Sequence, residues 1–533
     1  MATETVTQKR IKPHHLVIGL GAGIALFTLA SGIVPLYTKW HDDAEVQRHV
    51  FFNIPSGVKL AFYLVIPAVL LYGAYLFAMR VKNWQRGTPE ARPTTTKNIK
   101  QRMSDFRAGA MMKTLLKDPA AGLMHSFIYF SFLVLLAVTT TLEINHQVPT
   151  GWKFLNGKTY QAFSFVGDAG GLFLFIGVMW AIIRRWVVRP YRIRIKSKPD
   201  HVLGLGVLLL LAVTGFTTEA WRIAAEGMPE YEKWSFIGYP MATLVENSGT
   251  VVGGHQIWWI AHVVVFIAFL LLLPITMMRH MFTSPLNMYL KDKDRPKGAM
   301  RAMPNLMETE LESFGASVVE EFTWKQLLDT DACTMCGRCT SVCPASSTGK
   351  SLDPREIVLK TGEVMAASGT PVVSPPIDTV PEITIGSNSL FERITPEEIW
   401  ACTSCKACDE ICPVEIEILD KILDMRRYLT LMESDFPTEL GTAFRGMENS
   451  GNPWGMSQSD RAAWADKVDD IEIVDGTEVL QHEYLYWVGC AGSFDDKNQK
   501  VTQAMAKLMK RADVDFAILG PAENCTGDPA RRS

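Results

Sequence analysis

Eight of the chain's ten cysteines fall in two copies of one pattern, Cys-x2-Cys-x2-Cys-x3-Cys-Pro. The first copy is Cys333, Cys336, Cys339 and Cys343, then Pro344; the second is Cys402, Cys405, Cys408 and Cys412, then Pro413. At this spacing three neighbouring thiolates wrap one [4Fe-4S] cluster, while the fourth reaches across to the other. Cys333, Cys336 and Cys339 therefore group with Cys412, and Cys402, Cys405 and Cys408 with Cys343. Zinc sites present two Cys-x2-Cys pairs a dozen or more residues apart, which does not match this pattern. Disulfides would need an oxidising compartment. The chemistry expected is electron transfer.

Residues 1–332 hold no cysteine but carry long apolar runs, whereas residues 333–533 hold every cysteine and no run long enough to span a bilayer. A span needs roughly 20 mostly apolar residues. Six stretches qualify, at about 16–37, 57–79, 121–142, 160–183, 202–219 and 256–278. The first is too long for the apolar core of a signal peptide, so an uncleaved anchor is expected. Its GLGAG (19–23) suits close helix packing rather than phosphate binding. Basic residues set the orientation. Residues 80–120 carry ten and residues 184–198 carry seven, against two in each of 38–56, 143–159 and 220–255. Both termini and the cysteine-rich part are therefore expected on the cytoplasmic side of the inner membrane. A net charge of −3 gives no sign of a nucleic-acid partner.

Ionisable groups inside spans are costly and usually functional. His262 and His280 lie 18 residues apart. That is five full helical turns, so both are expected to project from one face of the sixth span, about 27 Å apart. His125 lies about two turns into the third span, after an Asp118-Pro119 helix start. Bis-histidine haem ligation needs two imidazoles at matching depth on different helices. His125 with His280 meets that condition. His262 has as candidates only His41, His49, His146 and His255, all in loops or at a span edge. The bland reading is that such histidines hydrogen-bond within the bundle. Asp168, in the fourth span, either exchanges protons with a quinone or caps a neighbouring helix. Glu219 and Arg222 pair with each other or with haem propionates.

The membrane part resembles the gamma subunit of respiratory nitrate reductase, a quinol-oxidising cytochrome b. The likeness rests on His262, His280 and their spacing, and on TGFTTEAWRIA (214–224). That family has a second histidine about ten residues after the first in the third span. Here position 135 is Leu, so the resemblance implies one haem b rather than two. The cysteine-rich part resembles heterodisulfide-reductase-like iron–sulfur oxidoreductases, whose ferredoxin domain is helical. The 58 residues between Cys343 and Cys402 suit that version, and KILDMRRYLTLMES (421–434), GNPWG (451–455) and YWVGCAGSFD (486–495) look like its membrane-bound branch. Members of that branch include the protein that passes electrons from electron-transfer flavoprotein to menaquinone. Cys490 and Cys525-Thr526-Gly527 resemble the opening of a Cys-Cys-Gly module with Thr526 in place of its second cysteine. The resemblance makes Cys490 and Cys525 part of a third cluster site, complete only if further cysteines follow, and suggests a truncated C-terminus.

The expected architecture is a six-span α-helical membrane bundle (1–290), a helical two-cluster ferredoxin domain (291–430), a linker (431–483) and the start of an α/β cysteine-rich module (484–533). Residues 362–400, rich in Pro, Ser, Gly and Thr, read as an extended loop. The expected function is quinone-linked electron transfer from a cytoplasmic donor, through two [4Fe-4S] clusters and haem b, to menaquinone. By resemblance, electron-transfer flavoprotein is the donor. The alternatives are a quinol-linked disulfide reductase component and a membrane-tethered redox sensor.

Overall fold

Five of the six apolar runs fold as one helix each, Pro13–Thr38, Ser56–Trp84, Pro119–Gln147, Gly157–Ile183 and Pro199–Ala225, and most of the sixth folds as Val251–Ile275. The computed structural model describes residues 12–38, 45–190, 199–296, 298–369, 387–476 and 481–533. Among these, six helices are long and apolar enough to cross a membrane. Each starts before the apolar stretch that marks it, because a helix satisfies its own backbone and extends to a cap or proline. The third starts as its sequence suggests: the Asp118 side chain accepts the Ala121 N–H at 3.3 Å, with Pro119 in the first turn. Small residues let the helices approach. A Cβ on Gly21 would strike Ala74, and one on Gly171 would lie 2.6 Å from the Phe216 ring.

The sixth span departs from the continuous helix expected over 256–278. It ends at Ile275, Thr276 is extended, Met277–Arg279 form a 3-10 turn, and a separate helix runs His280–Leu290. Pro274 removes a backbone donor and crowds the preceding turn. The Thr276 hydroxyl then accepts the Met278 N–H at 3.3 Å and opens the new turn. Arg80, from the second span, donates to the freed carbonyls of Pro274 and Ile275. His262 and His280 therefore stand on different helices, and a rise counted along one axis does not apply to them.

The chain forms two compact units: Met1–Arg301 with Ser317–Thr395 and Lys406–Leu419, and Ala302–Ala316 with Pro396–Cys405 and Asp420–Ser533. In the first, the segment after the spans is helical, with Trp324–Ala332, Arg338–Val342, Pro354–Ser368 and Ala407–Ile411. Thr323 and Gln326 form a capping box at the start of Trp324–Ala332. Part of the expected loop 362–400 is helix, through Ser368 and again at Pro396–Trp400, while 370–386 lie outside the described residues.

The second unit holds a three-stranded parallel sheet, β1 (Glu472–Ile473), β2 (Tyr484–Leu485) and β3 (Phe516–Ile518), in the order β1-β3-β2. Helix Asp496–Arg511 joins β2 to β3, the strand–helix–strand expected of the α/β module. The preceding stretch is more structured than a linker. It supplies helix Thr438–Ser450, strand β1 and Trp464, which is 1 % exposed and packs on Phe516 and Ile518. Gln, Asp and Gly interruptions hide its periodicity.

Candidate redox site

Cys333, Cys336, Cys339 and Cys412 line one small cavity, with Val358, Ile416 and Ile418 among its apolar walls. The backbone explains how short loops aim the thiols inward. Cys333 caps helix Trp324–Ala332, and positive φ at Met335 and Gly337 turns the loop back before helix Arg338–Val342. The second loop repeats this at the same offsets, with positive φ at Ser404 and Lys406 before helix Ala407–Ile411. The Ile416 N–H then donates to the Cys412 sulfur at 3.4 Å.

Burial pushes the Cys333 thiol up to about 12. Burial also raises Cys339, helped by the sulfurs of Cys333, Cys336 and Cys412. Thiols buried in this way do not ionise together unless cationic metal offsets the charge. Among the described residues no three His, Cys, Asp or Glu side chains converge on a single ion. Sulfurs ringing a cavity instead suit a cluster of four irons and four sulfides, one thiolate to each iron. The residues fit the group. Cys343 and Cys408 belong to the first compact unit and Cys402 and Cys405 to the second.

His125 and His280 face each other from different helices, ring centroids 6.3 Å apart and planes at 63°. Two axial imidazoles on one iron, with metal–nitrogen bonds of about 2 Å, place centroids about 6 Å apart. His280 Nδ1–H donates to the Met277 carbonyl at 2.7 Å, which leaves Nε2 as the nitrogen that would ligate a metal. His125 Nδ1 is buried without a partner. This pair also fits its group. His262 does not join it: its Nδ1 lies 2.8 Å from the Thr214 hydroxyl, which itself donates to the Leu210 carbonyl at 2.6 Å. Leu135, where the gamma-subunit resemblance places a histidine, packs near Gly170.

At the far ends of the spans, buried Asp168 accepts the N–H groups of Ile237 and Gly238 at 2.6 and 3.1 Å, a capping contact. Arg222 binds Glu226 and Glu232 at 2.7 Å each and stands 3.9 Å from Glu219. In the second unit, Cys490 faces Cys525 and accepts an Arg461 N–H at 3.3 Å. Glu523 holds that arginine at 2.8 Å. The Cys525 N–H donates to the Gly451 carbonyl, which sets the start of GNPWG beside the cysteine, while Trp454 is exposed.

Residues 329–416 match the family described as 4Fe-4S dicluster domain, and residues 123–295 match the nitrate reductase gamma subunit family. The chain is 33 % identical to EtfAB:quinone oxidoreductase of Syntrophomonas wolfei, over 91 % of this chain and 70 % of that protein. It belongs to that family. FadF of Bacillus subtilis, described as a probable iron–sulfur-binding oxidoreductase, is 32 % identical over 90 % of this chain and 72 % of its own length. One component of the dihydromethanophenazine:CoB–CoM heterodisulfide reductase of Methanosarcina barkeri is 26 % identical over 40 % of this chain and 49 % of its own. No solved structure matches. The chain is a multi-pass, membrane-anchored iron–sulfur oxidoreductase with a dicluster domain.

Within this family's architecture, sequence reasoning missed the residues that hold the cluster-binding segment to the spans. Glu417, 3 % exposed at its side chain, binds Arg92 and Arg295 at 2.9 Å each and Lys325 at 3.6 Å. Asp331 binds Arg80 at 3.0 Å, Arg279 at 2.7 Å and the Trp84 indole N–H at 2.8 Å. Each sits beside another acid, Asp329 before Asp331 and Glu415 before Glu417, so the sequence singles out neither and names no partner hundreds of residues away.

Proposed function

We propose that this protein passes electrons from reduced electron-transfer flavoprotein to menaquinone. The observation that carries the reading is the His125–His280 pair in the same compact unit as the four-cysteine cavity. Cys333, Cys336, Cys339 and Cys412 would hold one [4Fe-4S] cluster, and Cys402, Cys405, Cys408 and Cys343 a second. His125 and His280 would hold one haem b. When bound, these groups take up and release single electrons. Val358, Ile416 and Ile418 exclude water from the first cavity, and the Met277 carbonyl fixes the ring of His280. Asp168, beside Glu219, is the proposed proton-exchange group for the quinone. The basic loops support a cytoplasmic side for both termini and the clusters. A membrane bundle to residue 290 and a cluster-binding segment to residue 430 stand as our proposal for domain organisation.

A second reading, a component of a quinol-linked disulfide reductase, draws on Cys490, Cys525 and Arg461 as part of a third cluster site and on the heterodisulfide reductase relatives. One titration separates the two. Reduced electron-transfer flavoprotein is added to the purified protein and the haem b α-band is followed. Growth of the band, reversed by a menaquinone analogue, is expected. A band that dithionite raises and the flavoprotein does not would discard the donor and favour the second reading. Absence of any haem band in cluster-loaded protein would overturn the His125/His280 assignment.

A further inference from the structure

We propose that Arg279 is a positioning and charge-tuning residue shared by the haem and the first cluster, and that helix His280–Leu290 is the strut holding the two at fixed separation. This rests on the assignment of His125/His280 to haem and of the Cys333 quartet to a cluster.

The strut presents one face to both cysteine loops. His280 opens the helix, and Thr283, Ser284 and Asn287 follow at the spacing of three, four and seven residues that shares its face. Thr283 donates its hydroxyl to the Asp331 carbonyl at 2.9 Å, and Ser284 donates to the Ala332 carbonyl at 3.2 Å. Those carbonyls immediately precede Cys333. Asn287 donates to the Val414 carbonyl at 2.9 Å, two residues after Cys412. One short helix therefore begins with a haem ligand and grips the cluster loops on both sides of the cavity.

Arg279, adjacent to His280, pairs with the buried Asp331 carboxylate and acts electrostatically on Cys333. Arg338 and Arg355 line the cavity itself, and Arg355 also acts on Cys333, but neither adjoins a histidine of the pair. Arg338 donates to the carbonyls of Thr114 and Leu115 at 2.8 Å, Arg355 pairs with Asp353 at 2.8 Å, and Arg80 shares Asp331 and feels Asp200. Arg279 alone among these cations is next to a haem ligand in the chain. Reduction adds negative charge to either centre, so a fixed cation between them favours reduction of both, while the Asp331 carboxylate opposes it.

The test is a redox titration of the intact, loaded protein, reading the haem by its visible band and the cluster by electron paramagnetic resonance. In R279Q both midpoint potentials should fall, R279K should stay near wild type, and D331N should shift both upward. Opposite shifts of both centres in R279Q and D331N are the signature. If one variant fails to take up its groups, the direction in the other decides. Unchanged potentials, or a shift at one centre only, would overturn the proposal. A wild-type protein without a haem band would instead overturn the assignment beneath it, while leaving the cluster's response to R279Q measurable.

Discussion

Cys412 lies far along the chain from Cys333, yet its sulfur shares a cavity with Cys333, Cys336 and Cys339. That grouping was legible because cysteine spacing encodes geometry directly: a loop of fixed length offers three sulfurs and leaves the fourth facing away. Replacing Cys412 by Ala should remove one cluster and lower bound iron and sulfide by about half. Chemical iron and sulfide analysis checks this, and full retention of both would dismiss the grouping. Other residues were less legible. The sequence left Asp168 open between proton exchange and helix capping; the structure adds its two capping contacts, and proton exchange stands as a proposal. Only the structure reveals which N–H groups a buried carboxylate meets.

Elements were predicted in number and order, but not in their breaks. The apolar run of the sixth span continues past Pro274, so hydropathy hides the turn at Thr276 that separates His262 from His280. Proline at that position was the available signal. The cluster-bearing elements are tied to the spans through Glu417. Burial alone would raise its carboxyl, but Lys325, Arg92 and Arg295 hold it well below the usual range. A depressed carboxyl contributes stability that is fully present above the unfolded value of about 4.3 and is lost as pH falls toward the folded one. Acidification below about pH 4.3 should therefore lower the melting temperature, and Glu417→Gln should weaken that dependence. The variant should also lose about 3–5 kcal/mol, because it leaves buried cations without their counter-charge. Melting curves in detergent across pH decide it; a Gln variant as stable and as acid-sensitive as wild type would contradict the account.

At the scale of the whole molecule, six spans put the loops 80–120 and 184–198 on one side and 143–159 on the other. Exposed Lys158 and Lys117 make this measurable. A cysteine at Lys158 should react with a membrane-impermeant thiol reagent in intact cells, and one at Lys117 only after permeabilisation; the reverse pattern would invert the topology. The division into two compact units was not legible, because it follows contacts between distant segments rather than composition along the chain. The two family matches meet in the gap between residues 295 and 329. That gap looks like a seam where one module could be exchanged for another. Helix His280–Leu290 argues against cutting there. It falls inside the membrane-side match, yet its hydroxyls and amide hold carbonyls of the iron–sulfur side. A chimera joined in the gap would inherit a strut from one parent and its footholds from the other. Recombination between relatives should therefore succeed only where Thr283, Ser284 and Asn287 travel together with the loops they grip.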